Sequence, residues 1–236
     1  MSEALTTVAV ICLSLSEKIA TGAFAADGRL PSERQLSEQF STTRITLREA
    51  LSQLEGQGLV YREVRRGWFV SPPRIIYNPL QRSHFHAMAL EQGRSARTEV
   101  IDAKALMASD TVCSKLSLPP KSEVHCIRRL RYIDDRPVLY VEHYLNPTFF
   151  PNILSADLTQ SLTDLYSAQY GISYGRVRFD MVPTRLPEQA SNALRVAPGS
   201  PALFITRVNR DQQDRVIDCD LEYWRYDALH IDVEVS

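Results

Sequence analysis

The chain has 236 residues, of which 44% are hydrophobic and 23% are charged, an ordinary globular composition with enough length for two domains. Its formal net charge of −1 excludes a general basic coat for nucleic acid. The apolar run Val8–Leu13 is too short to span a membrane, and no charged segment precedes it as a signal peptide requires.

Three helices are predicted in the first third of the chain. The first covers Leu5 to Thr21 and packs beneath the other two. Ser32 and Gln35 form a capping box after Pro31, so a second helix begins there. The run Ser41–Thr43 breaks that helix and supplies a hydroxyl cap for the third.

The third helix has a buried face and an outward face. The buried face follows the i, i+3, i+4, i+7 spacing of Leu47, Ala50, Leu51 and Leu54. Arg44 and Arg48 lie one turn apart, off that face, and Gly58 ends the helix. Two strands follow, Leu59–Tyr61 and Trp68–Val70, joined by the basic tip Arg65–Gly67. This order predicts a winged helix-turn-helix, whose recognition helix enters the major groove of DNA.

The segments LPSER, TRITLR, the LSQLEGQGL run and RGWFV together resemble the DNA-binding domain of GntR-type bacterial transcription regulators. The resemblance implies that three arginines make the main base and phosphate contacts, that three hydroxyl residues hold phosphates, and that the wing tip enters the minor groove. These residues are Arg34, Arg44 and Arg48; Ser32, Thr43 and Thr46; and Arg65, Arg66 and Gly67. The wing departs from the family, which often has Gly at the Arg65 position and Thr at the Trp68 position.

The overall charge does not by itself indicate DNA binding. Arginines on an amphipathic helix usually form a solvated surface, and residues 1–74 carry nine Lys or Arg against eight Asp or Glu. The arginines must therefore act through their positions, which favours sequence-specific operator binding over nonspecific coating. A protein adaptor built on the same winged helix is the alternative.

The cysteines and histidines give no sign of a metal site. Cys12, Cys113, Cys126 and Cys219 are scattered without a C-x-x-C pair and are expected to be small buried residues in a reducing cytoplasm. His84 and His86 lack a third ligand in the sequence. We expect neither a metal nor a cofactor.

The proline-rich stretch around Ser71–Arg74 and Pro79 predicts a semi-stiff linker. The expected domains are residues 1–71 for DNA binding, 72–80 as the linker and 81–236 as a second domain.

Within the second domain, Leu116–Leu145 aligns with Leu194–Tyr223 at a constant offset and without a gap. This internal repeat predicts two hairpins in one antiparallel sheet around a pseudo-twofold axis, with a ligand cleft between them.

A helix at Ser161–Tyr170 and a strand at Ile172–Thr184 are expected between the copies.

The segments Arg129–Val138 and Asp218–Asp227 resemble the effector-binding UTRA domain of the HutC branch of GntR regulators. That domain has an α+β fold like chorismate lyase and binds small effectors, often sugar phosphates. The resemblance implies a ligand site with two ends, one of which binds the anionic group of the effector. The anion would lie at Arg129, Arg131, Ser161 and Thr163, and the other end at Glu142, Asp218 and Trp224. Relatives have one residue fewer between Pro137 and the Glu142 position, so we expect a β-bulge there.

Two arginines and two carboxylates predict a zwitterionic effector with a phosphate or phosphonate at one end and an amine at the other. The segments STTRIT (41–46), RRGWFV (65–70) and EYWRYD (222–227) resemble regulators of 2-aminoethylphosphonate uptake and degradation, so this compound is the preferred effector. A sugar phosphate is the alternative effector.

An enzyme is a less favoured function, because the chain has no nucleophile elbow, HExxH, P-loop or GxGxxG motif. We expect a homodimer on a palindromic operator.

Overall fold

The computed structural model describes residues 5–24, 28–81 and 84–234. The chain divides into two compact units: the first contains the residues up to Pro73 together with Arg195–Ala197, and the second contains Arg74–Leu194 and the residues from Pro198 onward. Within the described residues, no helix combines the length and the apolar character needed to cross a membrane.

The first unit contains three helices and a two-stranded antiparallel sheet. Thr6, Ser32 and Thr43 cap the three helices with their side-chain oxygens, and Ser32 and Gln35 form the predicted capping box. The elements are α1 (Thr7–Ala20), α2 (Glu33–Gln39), α3 (Arg44–Gly56), β1 (Val60–Glu63) and β2 (Gly67–Val70). The predicted helix-turn-helix and wing are confirmed.

The core of this unit forms where the predicted face of α3 meets α1. The side chains of Leu47, Ala50, Leu51 and Leu54 are completely buried, and Ile11 and Leu15 of α1 pack against them. At the wing, Arg65 occupies the left-handed region with φ 63°. Glycine adopts that conformation at less cost than arginine does.

The second unit is an α+β domain built on one six-stranded antiparallel sheet. Its helices are α4 (Phe85–Glu91), α5 (Asp110–Leu116), α6 (Leu162–Tyr170) and α7 (Glu188–Ala193), with a short 3-10 turn at Ile153–Ser155. Its strands are β3 (Ile75–Tyr77), β4 (Ala96–Met107), β5 (Glu123–Ile133), β6 (Arg136–Leu145), β7 (Tyr174–Arg185), β8 (Pro201–Asp211), β9 (Val216–Arg225) and β10 (Leu229–Ile231).

The sheet has the order β4-β5-β6-β9-β8-β7, which is symmetric about the contact between β6 and β9. The predicted internal repeat is therefore confirmed, and it is longer than the sequence alignment indicated, because β4 and α5 correspond to β7 and α7 at the same offset. Ser117 and Arg195, equivalent positions after these two helices, both have a positive φ, 57° and 59°.

The predicted linker 72–80 contains a strand. Residues of β3 pair in parallel with β10, and Ile75 is 1% exposed. The extended conformation favoured by the nearby prolines is thus used to add a small sheet to the second unit, so the stretch is not purely a linker.

The two faces of the large sheet have different partners. On one face, Leu139, Val141 and Trp224 pack against Phe85 and Met88 of α4. On the other face, Cys126, Tyr144 and Cys219 pack with Val112 and Leu116 of α5. Three of the four free cysteines are buried as expected, while Cys12 is partly exposed.

Candidate DNA-binding surface and effector site

The recognition helix α3 presents polar and apolar groups opposite its buried face. Arg44 and Arg48 are exposed, as predicted, and Ile45 between them is 81% exposed. Single exposed hydrophobic residues are common on protein surfaces, but this one lies on the outward face of the predicted recognition helix, beside Arg44. Ile45 was not among the residues predicted to contact DNA.

The predicted phosphate-binding hydroxyl residues have structural roles as caps. The Ser32 hydroxyl donates to Gln35 Oε1 at 2.7 Å, and Thr43 Oγ1 accepts from the Thr46 amide at 3.2 Å. Each cap satisfies one backbone amide of its helix. The other amides of a helical first turn have no intrahelical partner and suit phosphate oxygens. Among the arginines, Arg34 is paired with Glu38 at 3.2 Å.

Contacts within the wing fix the conformation of its tip. Arg66 pairs with the buried Glu63 at 2.5 Å, and its guanidinium lies 5.4 Å from the Phe69 ring centroid. Gly67 has φ 106°, and a Cβ at this position would meet open space. The tip therefore keeps Arg65 and Arg66 on a tight turn, as a groove-entering wing requires.

In the second unit, a small cavity of about 50 Å³ lies under α4 on one face of the sheet. Two of the seven predicted effector residues, Arg131 and Trp224, line it. Its other lining residues are Tyr77, His84, Phe85, Met88, Leu139, Val141, His143, Arg207 and Glu222.

Arg131 has an unusual environment. Arg131 as a whole is 9% exposed, and its buried Nε has no hydrogen-bond partner among the described residues. The guanidinium lies 4.8 Å from the Phe85 ring centroid. Burial, and then the charge of Arg129, hold the pKa of Arg131 well below its usual value. A buried guanidinium with a donor that no described residue satisfies is a strong candidate for binding an anion.

The other arginines of the site are already paired. Arg129 is 1% exposed; its Nε donates to His143 Nε2 at 3.1 Å and its Nη1 to the Gln160 carbonyl at 2.9 Å. His143 Nδ1 faces Asp220 Oδ1 at 2.5 Å, and burial lowers the pKa of His143 to about 3, so the imidazole is neutral. Arg129 thus does not line the cavity, and it positions His143, which does.

Arg207 and Glu222 complete the polar wall of the cavity. Arg207 Nε donates to Asp220 Oδ2 at 2.8 Å and lies 3.7 Å from Glu222 Oε1. Trp224 Nε1 donates to Glu222 Oε2 at 2.9 Å. The internal repeat could have revealed this arginine, because it aligns Arg207 with Arg129.

The position of Glu142 contradicts its prediction as an effector residue. Its carboxylate accepts from Arg128 Nε at 2.8 Å and from the Tyr144 hydroxyl at 2.9 Å, on the sheet face opposite the cavity. The expected bulge is present and explains the error: Arg131 pairs with Leu139 and Tyr132 with Pro137, which leaves Val138 extra. One extra residue reverses the face of every later side chain in the strand.

Three further predicted residues lie near the cavity without lining it. Asp218 accepts from the Tyr174 hydroxyl at 3.1 Å, and burial and then Asp220 raise its pKa. Ser161 caps α6 by accepting from the Asp164 amide at 3.3 Å, and Thr163 is in the first turn of that helix. The first turn of α6 is close to the cavity, since Asp164 lies 3.6 Å from His84 Nε2.

The comparisons with known proteins agree with both units. Residues 7–70 match the family of bacterial regulatory proteins of the gntR type, and residues 91–230 match the UTRA domain. The chain belongs to the GntR family, in the HutC branch that carries a UTRA domain. Proteins of this family are transcription regulators rather than enzymes, and GntR-type regulators bind DNA operators and small effectors.

Relatives cover almost the whole chain. The HTH-type transcriptional regulator YihL of Escherichia coli strain K12 is 30% identical over 98% of both chains. The mannosyl-D-glycerate transport/metabolism system repressor MngR of the same strain is 24% identical over 80% of this chain and 79% of its own. The crystal structure of PhnF from Mycobacterium smegmatis has the same fold, with a TM-score of 0.66, 22% identity and coverage of 96% of this chain and 99% of that chain.

Proposed function

We propose that this GntR regulator binds a palindromic operator as a homodimer and that a small zwitterionic anion controls its operator affinity. The preferred effector is 2-aminoethylphosphonate or a related phosphonate. The observation that carries this proposal is the buried Nε of Arg131, which has no hydrogen-bond partner in the described part of the chain and belongs to a residue that lines the cavity.

The charges around the cavity favour an anion. Two guanidinium groups, those of Arg131 and Arg207, line the cavity with one carboxylate, that of Glu222. The raised pKa of Asp218 favours the neutral form of that nearby carboxyl group. The phosphonate would accept from Arg131 and Arg207, because planar guanidinium groups bind such oxygens in pairs. Glu222 and the aromatic rings of Trp224 and Tyr77 would hold the ammonium end.

The cavity volume favours a short effector over a sugar phosphate. A volume of about 50 Å³ accommodates only about four water molecules. Either compound requires the cavity to widen, and a phosphonate with a two-carbon amine requires less widening than a hexose phosphate does. The competing proposal is a sugar-type effector, which the name of the relative MngR supports, since it mentions mannosyl-D-glycerate.

Effector binding can change operator affinity only as far as the effector prefers one arrangement of the dimer. A coupling of about 1–3 kcal/mol would change operator affinity about 5–150-fold. The name of MngR supports repression as the sign of regulation.

The test is calorimetric titration of the full-length protein with 2-aminoethylphosphonate and with glucosamine-6-phosphate, followed by operator binding with each compound. We expect heat and a change in operator affinity with the phosphonate. Binding of the sugar phosphate alone would reject the phosphonate and favour the alternative effector. If the protein does not bind its neighbouring promoter DNA with or without either compound, the proposed regulatory mechanism as a whole is rejected.

A further inference from the structure

Glu33, the first residue of α2, connects the recognition helix with the wing. Its Oε2 accepts from Arg48 Nε at 2.8 Å, and its Oε1 accepts from Trp68 Nε1 at 3.2 Å. The Glu33 side chain is 19% exposed and that of Arg48 is 59% exposed. Both oxygens of one half-buried carboxylate are therefore occupied, one by α3 and one by β2.

The bond to Nε determines how Arg48 presents its guanidinium. Nη1 and Nη2 of Arg48 make no hydrogen bond to any residue in the described ranges, so the terminal pair of amino groups stays available. A guanine offers two acceptors, O6 and N7, on one edge in the major groove. An arginine held at Nε with both Nη groups outward has the orientation that a bidentate contact to that edge requires.

The Trp68 contact keeps Glu33 in place. Trp68 is 6% exposed and part of the core of the first unit, and the Arg62 guanidinium lies 5.9 Å from its ring centroid. Burial alone would raise the pKa of Glu33, but hydrogen bonds from Arg48 and Trp68 outweigh it and lower the pKa. Glu33 is thus a fixed anion beside the DNA-binding surface.

We propose that Glu33 is a positioning residue for operator recognition, which orients Arg48 for a bidentate base contact and joins it to the wing through Trp68. A fixed carboxylate also repels phosphates nearby, so it weakens binding to any DNA that does not satisfy Arg48. Glu33 therefore acts on the discrimination between sequences more than on total affinity.

The experiment compares affinities for two duplexes: the operator selected from random DNA by the full-length protein, and a scrambled duplex of the same length. Glu33→Gln keeps an acceptor for Trp68 and removes the charged partner of Arg48. We expect the ratio of operator to scrambled affinity to fall at least about fivefold, the lower end of what one bidentate base contact discriminates. Affinity for the scrambled duplex should stay equal or increase.

Two further variants separate positioning from simple charge or folding effects. Glu17→Gln removes the same charge from the exposed surface of α1 and should leave the ratio unchanged. In an Arg48→Ala background, Glu33→Gln should have no further effect on the ratio, because the residue acts through Arg48. If Glu33→Gln does not fold, Glu33→Asp serves in the same cycle, since its shorter chain keeps the charge but cannot reach both partners.

The proposal is overturned if Glu33→Gln, or Glu33→Asp in its place, lowers operator and scrambled affinity equally. It is also overturned if the loss of discrimination persists at full size in the Arg48→Ala background.

Discussion

Replacing Arg131 with methionine should affect stability and effector binding in opposite directions. The buried Nε of Arg131 has no hydrogen-bond partner within residues 5–24, 28–81 and 84–234, and the guanidinium lies near the charge of Arg129. Methionine has a similar length and no charge, so the variant should make the effector-free protein more stable while it removes the anion site.

The expected size follows from the burial of Arg131. An unsatisfied buried donor costs about 1–3 kcal/mol, and more when it is charged. A gain of that size raises the melting temperature by about 2–4 °C per kcal/mol for a chain of this length. The same variant should lose the stabilisation that a saturating effector gives to the wild type.

Arg136→Met is the matched control. Arg136 is also a buried arginine, 5% exposed, but its Nη2 donates to the buried Asp227 at 2.5 Å. Removing Arg136 takes away one of the two arginine partners of the buried Asp227 and leaves only Arg225, so this variant should be destabilised. The two arginine-to-methionine changes should thus shift the melting temperature in opposite directions.

Thermal unfolding with and without 2-aminoethylphosphonate, combined with calorimetric titration, measures both effects. A destabilised Arg131→Met protein would show that Arg131 has a structural partner and would refute the reasoning. Undiminished effector binding by that variant would refute the assignment of the anion site.

Three further predictions concern single residues. Arg44→Ala should abolish operator binding in gel-shift assays and leave effector affinity in calorimetry nearly unchanged; loss of both would contradict the separation of roles. Glu222→Gln should weaken 2-aminoethylphosphonate more than a simple alkylphosphonate in competition titrations, because only the former carries an ammonium group, and equal loss would remove Glu222 from the ammonium site. Asp227→Asn should destabilise the protein by about 3–5 kcal/mol at neutral pH. Burial would raise the pKa of Asp227, but Arg225 and Arg136 lower it, so its stabilisation is present above the unfolded pKa of about 3.9 and is lost as pH falls through the lower folded pKa. The difference from wild type in urea unfolding should shrink in that acidic range, and a constant difference would show that the charge is not responsible.

The local structure of the first unit followed from short-range patterns in the sequence. The capping box at Ser32, the buried spacing from Leu47 to Leu54 and the basic turn before Gly67 each depend on neighbours within a few residues. Such signals act on the local backbone, so they can be recognised without knowledge of distant contacts.

The effector site depended on pairing between distant strands. The sequence placed Arg131 and Trp224 in the site and predicted the bulge, but it could not show which face Glu142 would occupy. That choice follows from one extra residue at Val138, which reverses the alternation along β6. Only the folded sheet could bring Arg207 and Glu222 beside Arg131, because strand register, and not sequence spacing, decides which side chains meet.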